Sequence, residues 1–334
     1  MTGIVSGQGT TYNLPNFVGE LFSASKEDTP LLSAIGGLTG GRSTGAKTFF
    51  DWQFYDLRDA ATDRQRKEGQ DAPTAEQRKR STARNVVEIH QESVELSYTR
   101  QATAGQQNTG SEAVVSIGGT SLPASELVWQ IEQQLKQIAR DVNKTFFVGQ
   151  FADPSDNNSP RKTRGLLQAI TTNVGTYVQP DLSNSSQVAA FGTALLDLMQ
   201  DIWTNGGIRE AETRTIIVNA ANKRALTAAF ITGRNYQEQS RNVGGVNLQT
   251  IETDFGRCNV MLDQDCPVPV VCSLEDLAPR FLEIPGKGHF FVEPLAKTGA
   301  SDKVQIYGEI GLEYGNQRKH GKLLLEGGSG SGSA

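Results

Sequence analysis

One stretch of the chain resembles a nucleotide-binding loop in composition. Residues 40–48 read Gly-Gly-Arg-Ser-Thr-Gly-Ala-Lys-Thr. A phosphate-binding P-loop has the spacing GxxxxGK[ST], in which the lysine directly follows the second glycine and a helix begins at once. Here Ala46 separates Gly45 from Lys47, and the residues that follow alternate like a β-strand. A nucleotide-binding enzyme that uses Gly40–Thr48 is therefore only a remote alternative.

The other reactive residue types lack the neighbours that catalysis or metal binding needs. No histidine has a second ligand at the spacing of HxxxH or HExxH. The cysteines match neither a CxxC-type zinc site nor a disulfide framework, and two of them lie in apolar strand patterns, which predicts buried thiols. We therefore expect no catalytic, cofactor-binding or metal-binding residues and no enzyme. The residues concerned are His90, His289, His320, Cys258, Cys266 and Cys272.

The composition is that of a folded protein with an acidic balance. The chain has 334 residues, 37% of them hydrophobic, with 35 glycines and a formal net charge of −5. A protein that binds nucleic acid tightly has a basic surface, so the acidic balance disfavours a nucleic-acid-binding protein. No stretch approaches the ~18 consecutive apolar residues of a transmembrane helix, and we expect no membrane contact.

The elements that would position a functional surface include a large hairpin. Residues 47–57 place Phe50, Trp52 and Phe54 on one face with period two, which predicts a strand. The return, 85–98, is also strand-like, but its apolar phase slips as a bulge or bend would require. Between them, residues 58–84 carry eight basic and five acidic side chains. Because an isolated two-stranded hairpin is only marginally stable, this one must lie on another surface.

Helices and strands are segregated along the chain. Helical spacing predicts a long helix at 121–149, a second helix at about 186–205, and a strand at 213–218 that leads through Asn219 into a third helix. A short amphipathic helix is predicted near Leu14–Phe22, and a long strand carries inward residues from Val304 to Tyr314. This segregation favours an α+β fold over a doubly wound sheet.

The order of these parts resembles the major capsid proteins of tailed bacteriophages, which have the Hong Kong 97 (HK97) fold. The resemblance runs in order through almost the whole chain. The stretches that carry it are Asp28–Ile35, Phe50–Gln53, Glu68–Ala72, Asn85–Ile89, Ser97–Thr103, Glu126–Gly149, Thr204–Gly207, Glu252–Gly256 and Pro294–Gly299 with the long strand that follows.

The resemblance implies a division of the chain into the parts of that fold. These are an N-terminal arm at 1–45, an extended E-loop hairpin at 46–100, a peripheral (P) domain at 101–180 with its spine helix at about 121–149, an axial (A) domain at 181–285, a return strand of the P domain at 286–326, and a flexible Gly/Ser tail at 327–334. It also implies that the hairpin lies over a neighbouring subunit, which would supply the missing support.

The implied function is structural. Pentamers and hexamers of the chain would form an icosahedral head around double-stranded DNA, assembled in the cytoplasm of the bacterial host, with weak and non-specific DNA contacts. Scaffolding, portal and decoration proteins are the expected partners, and an encapsulin-like nanocompartment shell is the alternative. The candidate inter-subunit contacts are Trp52, Phe54, Lys67, Glu68, Arg78, Lys79, Arg80 and Arg84. A nucleic-acid patch at the basic residues of this set is a weaker alternative to a protein contact.

Overall fold

A computed structural model describes most of the chain. The described residues are 27–45, 47–57, 60–99, 114–117, 120–123, 126–156, 158–208, 214–232, 250–297 and 299–326. The helix predicted near Leu14–Phe22 and the Gly/Ser tail lie outside them.

The first sheet is built around one long strand. β14 (Ser301–Glu313) pairs along one side with the antiparallel strand β4 (Glu88–Ser97). Along its other side lie β13 (Phe290–Pro294) and β12 (Ala278–Phe281), one after the other and both antiparallel. The short strand β1 (Arg42–Ser43) extends this sheet by pairing in parallel with β12. The long strand predicted near the end of the chain is thus confirmed as the centre of this sheet.

β14 alternates as predicted only over its first part. Val304 and Ile306 are buried while their neighbours are partly exposed, but every residue from Gly308 to Glu313 is buried. The second face is covered by the base of the hairpin, because a Cβ added at Gly311 would lie 2.5 Å from Val86 O and 2.9 Å from the Phe50 ring. A strand that is buried on both faces loses its period-two signal.

The longest helix packs against this sheet. α2 (Glu126–Val148) buries the predicted stripe, in which Ile131, Ile138 and Phe146 are almost fully inaccessible. The predicted start of this helix at residue 121 is wrong, because Thr120–Pro123 forms strand β6 and pairs with β5 (Val114–Ile117). A proline disfavours helical backbone at the residue before it, so an extended Leu122 is the expected conformation.

Two short helices complete the first core. α1 (Pro30–Ala34) buries Leu31 and Leu32 against α2, and α3 (Leu166–Ala169) follows the loop after α2. The core cluster that these helices share also contains Phe281, Ile310 and other inward residues of the first sheet. α1 is therefore held against the longest helix.

The second sheet has six strands and two helices on one face. Its order is β7 (Val174–Tyr177), β15 (Gly321–Leu325), β11 (Val270–Ser273), β8 (Arg214–Val218), β10 (Gly256–Leu262) and β9 (Thr250–Thr253). The helices are α4 (Ser185–Thr204) and α5 (Ala220–Thr227), which continues as a π-helical turn to Thr232. Both helices were predicted, and the Asn219 side chain accepts a hydrogen bond from Asn222 N at 2.9 Å, as the predicted N-cap requires.

The two hydrophobic cores share the second sheet. On strand β8, Ile216 and Val218 pack with α4 and α5, whereas Ile217 between them belongs to the core around α2. All five residues of β8 are buried. Because successive side chains of a strand point to opposite faces, one strand serves both cores.

The predicted hairpin is shorter than the segment 46–100. β2 (Phe49–Phe54) pairs with β3 (Ser81–Val86), and the chain then leaves this ribbon and enters the first sheet as β4. The change occurs at Val87, whose N–H bonds to Thr48 O at 3.0 Å. The sequence places the phase slip between Ile89 and Val94. The structure changes face earlier, at Val87, because Ile89 is exposed and β4 pairs with β14 in unbroken register.

The α+β fold class is confirmed, and the domain boundaries stay predictions. The predicted domains do not each correspond to one sheet. β12, from within 181–285, lies in the first sheet, and β15, from within 286–326, lies in the second.

Candidate assembly surface

The hairpin carries the largest exposed segment among the described residues. From Tyr55 to Arg80, every residue whose burial is described is exposed. Tyr55 and Leu57 leave 65% and 74% of their surface accessible. We call residues 55–80 the hairpin tip. It adds nothing to either core, and at its start Asp56 accepts a hydrogen bond from Asn316 Nδ2 at 3.0 Å.

Aromatic side chains fix the base of the hairpin to the body of the subunit. Phe50 is buried, and Trp52 stacks on it with ring centroids 5.8 Å apart. The Trp52 indole also meets Tyr314 edge to face at 4.8 Å, and its Nε1–H donates to Gly315 O at 2.7 Å. The base is therefore held in a defined direction on the end of β14.

A buried amide provides the second attachment of the base. Asn85 is fully inaccessible, and its Nδ2 donates to Leu312 O at 2.7 Å and to Arg164 O at 3.1 Å. Its Oδ1 accepts from Arg164 N at 2.8 Å. Because a buried amide without partners is costly, these bonds link β3 to the first sheet and to the loop after α2.

Charged pairs connect the two strands above the base. Arg84 holds Asp51 with Nε–Oδ1 at 2.7 Å and stacks over Phe49 at 4.5 Å, and this carboxylate raises the pKa of Arg84. Arg80 Nη1 lies 3.4 Å from Gln53 Oε1. These contacts are exposed and therefore weak one by one, but they keep the strands in register.

The tip is closed by its own ion pairs and a turn. Arg64 and Arg78 both bind Glu76, and these hydrogen bonds lower the pKa of that carboxyl. At the apex, Gln70 N donates to Lys67 O at 3.2 Å, and Gly69 has a φ of +77°, which a type II turn requires at this position. The tip thus presents a shaped apex without help from a core.

The predicted contact residues divide into two groups. Trp52 is used inside the subunit as described, Phe54 ends β2 partly buried, and Arg84 is paired with Asp51. The remaining five lie on the exposed tip: Lys67, Glu68, Arg78, Lys79 and Arg80. Their role as inter-subunit contacts stays a prediction, whereas Trp52 also has an internal function that sequence reasoning missed.

Sequence reasoning also missed a buried polar clasp on the arm. Asp263 is fully inaccessible and accepts from Leu31 N at 3.2 Å and from Asn143 Nδ2 at 3.1 Å. Asn143 Oδ1 accepts from Leu32 N at 3.0 Å, so the free N–H groups at the start of α1 are bound by other elements. Burial raises the pKa of Asp263. The spacing of these residues in the sequence does not predict the contact.

The remaining reactive side chains have structural surroundings. The three cysteines are free and buried, as predicted, and burial raises the pKa of Cys258 to about 11 and that of Cys272 to about 12. His320 accepts from Ser273 N at 3.4 Å through Nδ1, so Nε2 donates to Tyr314 O at 2.9 Å, and burial lowers its pKa. Within the described residues, no group of three potential ligands could hold a metal ion.

Two further features concern the nucleotide-binding loop and the transmembrane helix considered in the sequence analysis. The loop Gly40–Thr48 is followed by strand β2 and not by the helix that a P-loop requires. Among the helices of the described segments, none has the length and apolarity to cross a bilayer.

A comparison with family models decides what kind of protein presents this hairpin. The model of the SU10 major capsid protein matches residues 4–326. The chain belongs to this family. Its role is therefore structural, as a major capsid protein, and the comparisons lend no support to a nanocompartment or a nucleotide-binding enzyme. No curated protein sequence matches the chain.

Solved structures from phages and from a GTA particle show the same fold. The capsid of cyanophage P-SCSP1u matches with a TM-score of 0.59 at 12% identity, over 98% of both chains. A structure from Mycobacterium phage Bobi matches at 0.58 and 12% identity, over 96% of this chain and 97% of that one. The capsid of a native GTA particle matches at 0.56 and 12% identity, over 96% and 98%. At this identity the likeness concerns the fold, and it agrees with the fold expected from the sequence.

Proposed function

We propose that this capsid protein self-assembles through pentamers and hexamers into the icosahedral head that encloses phage double-stranded DNA. The observation that carries the proposal is the hairpin tip, which is exposed throughout its described residues yet is directed by a buried base. A projection that is fixed at its root and unsupported at its end is suited to lie on another copy of the chain.

Head-to-tail contact is the geometry that such a projection favours. The tip and the surface that receives it are different parts of the molecule, so the contact is heterologous and generates rings when the rotation closes. Rings of five and six copies can then join into a closed shell. The two hydrophobic cores share the second sheet, which suits this role. A subunit that moves as one body transmits a contact at its tip to the rest of the subunit.

The acidic balance suits a container for DNA. Each lysine or arginine that neutralises a phosphate adds salt-dependent, non-specific affinity. With a net charge of −5 per subunit, adhesion to packaged DNA stays weak. We further propose that the shell assembles in the host cytoplasm with scaffolding and portal proteins, and that decoration proteins can bind its outer surface.

Removal of the tip tests the proposal. Deletion of residues 58–84 would also remove part of β3, including Arg84 next to the buried Asn85, so we choose residues 57–79 and join the ends with a short Gly/Ser linker. We expect this variant to fold with the circular dichroism and unfolding midpoint of the wild type, because the deleted residues lie outside both cores. We expect it to form no closed shells in electron micrographs.

A matched control separates loss of the tip from a general disturbance. The control variant keeps the length of the tip but replaces Lys79 and Arg80, which directly precede β3, with Ser and Gln. It should assemble more weakly than the wild type and better than the deletion. Normal shells from the deletion variant would contradict the proposal.

A further inference from the structure

One face of α2 is covered along only part of its length. Trp129, Lys136 and Asn143 are spaced by seven residues, close to two helical turns, so they lie in one line along the helix. This line, which we call the outer face, is on the opposite side of the helix from Ile131 and Ile138, which pack in the first core. Asn143 is fully buried, whereas 39% of the Trp129 surface is exposed. The outer face is therefore covered near Asn143 and uncovered near Trp129.

The segment before β1 runs along the outer face in one direction. Asn143 Oδ1 accepts a hydrogen bond from Leu32 N at 3.0 Å. Two turns earlier in α2, Lys136 Nζ binds Glu27 Oε2 at 2.9 Å. The chain followed back from Leu32 to Glu27 thus moves towards the start of α2. Its five residues pass seven helix positions, which is about 10 Å along the axis.

The same course leads to Trp129 over the residues that precede Glu27. Residues 1–26 lie outside the described part of the chain. Trp129 lies seven further positions before Lys136, again about 10 Å along the axis. Five extended residues span up to ~17 Å, so residues 22–26 are long enough to reach it. This length places Phe22 beside the Trp129 indole.

The sequence before Glu27 contains an apolar stripe that needs a partner. Five apolar residues recur there at helical spacing: Leu14, Phe17, Val18, Leu21 and Phe22. A helix of this length is marginal in water unless its apolar face packs against another element. The exposed part of Trp129 is apolar surface that such a stripe can cover. Contact between the two would remove both from water.

We propose that residues 14–22 form a helix that docks on the outer face of α2 in the same subunit, with Leu21 and Phe22 against Trp129. This helix continues the cover that α1 provides at Asn143. The contact lies within one subunit, so the inference is independent of how the copies assemble. Docking also removes an exposed apolar patch from the unassembled subunit, which lowers its tendency to associate non-specifically.

The competing occupants of the Trp129 surface are the same segment of a second copy and a different protein. The ion pair of Glu27 with Lys136 favours the subunit's own segment, because it already holds the chain two turns from Trp129. A segment tethered so close to its site binds at a high effective concentration. A second copy or another protein lacks this advantage.

Quenching of tryptophan fluorescence by acrylamide tests the contact in the full chain. The chain has three tryptophans, so Trp52→Phe/Trp203→Phe leaves Trp129 as the only indole. The variant Trp52→Phe/Trp129→Phe supplies a reference, because 53% of the Trp203 surface is exposed. We expect Trp129 to be quenched much less than this reference, since the docked helix covers it.

Substitutions in the stripe should uncover the indole. In the background that retains only Trp129, Leu21→Ser/Phe22→Ser should raise the quenching constant towards that of the reference and shift the emission to longer wavelength. Asn16→Ser/Glu20→Gln is the matched control, because these residues lie on the opposite side of the predicted helix. It should leave both readouts unchanged. Circular dichroism of each variant checks that the subunit is folded.

Cysteine cross-linking gives an independent readout that leaves the stripe intact. Gln133 lies one turn after Trp129 on the outer face. Mild oxidation of Ser23→Cys/Gln133→Cys should produce a monomer that migrates faster on a non-reducing gel. Ser23→Cys/Asp141→Cys is the control, because Asp141 is exposed on another side of α2, and it should produce little of this species. The native thiols are buried and should add little background.

The outcomes separate this inference from the proposed function. Unchanged quenching in a folded Leu21→Ser/Phe22→Ser variant, or equal cross-linking of the two cysteine pairs, would overturn the docking. Disulfide-linked dimers in place of the fast monomer would assign the segment to a second copy and would also overturn it. Chains that form no shells or rings, but that show the intrachain cross-link and the change in quenching, would overturn the proposed function alone.

Discussion

Trp52 links the hairpin to the body of the subunit, and its removal should have a measurable cost. Trp52→Ala deletes the indole that contacts Phe50 and Tyr314 and the hydrogen bond to Gly315 O. A hydrogen bond contributes about 1 kcal/mol net, and an aromatic pair contributes about 0.5–1.5 kcal/mol beyond burial. Truncation of a fully buried tryptophan costs about 3–5 kcal/mol.

Because Trp52 is only partly buried, we expect Trp52→Ala to lower the free energy of unfolding by about 2–4 kcal/mol. Trp52→Phe retains most of the ring contact and loses the N–H donor, so we expect a loss of about 1–2 kcal/mol from the unpaired carbonyl. With a urea m-value of about 3 kcal/mol/M, the two midpoints should fall by roughly 1 M and 0.5 M.

The assay is urea unfolding of the full chain, followed by circular dichroism so that the loss of a fluorophore does not change the signal. Trp203, at the end of α4, is the matched control because 53% of its surface is exposed. Trp203→Ala should change the free energy of unfolding by less than about 0.5 kcal/mol. If Trp52→Ala and Trp203→Ala had equal effects, the anchoring of the hairpin base by Trp52 would be refuted.

Three other predictions concern the cores. Burial raises the folded-state pKa of Asp263, so protonation favours the folded state and the wild type should gain stability over Asp263→Asn as pH falls from 7 towards ~4; unfolding at both pH values measures this gain, and a constant difference would contradict it. Gly311→Ala should lower the free energy of unfolding by about 1–3 kcal/mol, because the added Cβ would lie 2.5 Å from Val86 O; an unchanged urea midpoint would show that this contact can relax. The raised thiol pKa values of Cys258 and Cys272 predict that a disulfide reagent at pH 8 reacts only after unfolding, and rapid labelling of the native protein would argue against buried thiols.

Local patterns in the sequence were sufficient for the regular elements. The stripe of α2 and the Asn219 cap each depend on residues a few positions apart, and the structure confirms both. The phase slip of the returning strand predicted a bend, but the bend lies before Ile89 and not after it, because the apolar side chain of Ile89 is exposed. These features are determined by the backbone geometry of one element.

Contacts between segments that are distant in sequence could not be predicted. Trp52 was predicted only as an inter-subunit contact, because its hydrogen-bond acceptor Gly315 lies far away in sequence. The clasp of Asp263 with Asn143 and Leu31 joins three segments that have no common pattern. Arg280 likewise lies beside the residues before β2 through the pairing of β1 with β12, two strands that are distant in sequence.

The self-assembly of this capsid protein is tested most directly by electron microscopy of the purified wild-type chain, expressed alone, together with sedimentation velocity. We expect closed shells, rings of five or six copies, or tubes, with a corresponding fast-sedimenting species. A clean monomer or dimer that salt and crowding agents leave unchanged would contradict it.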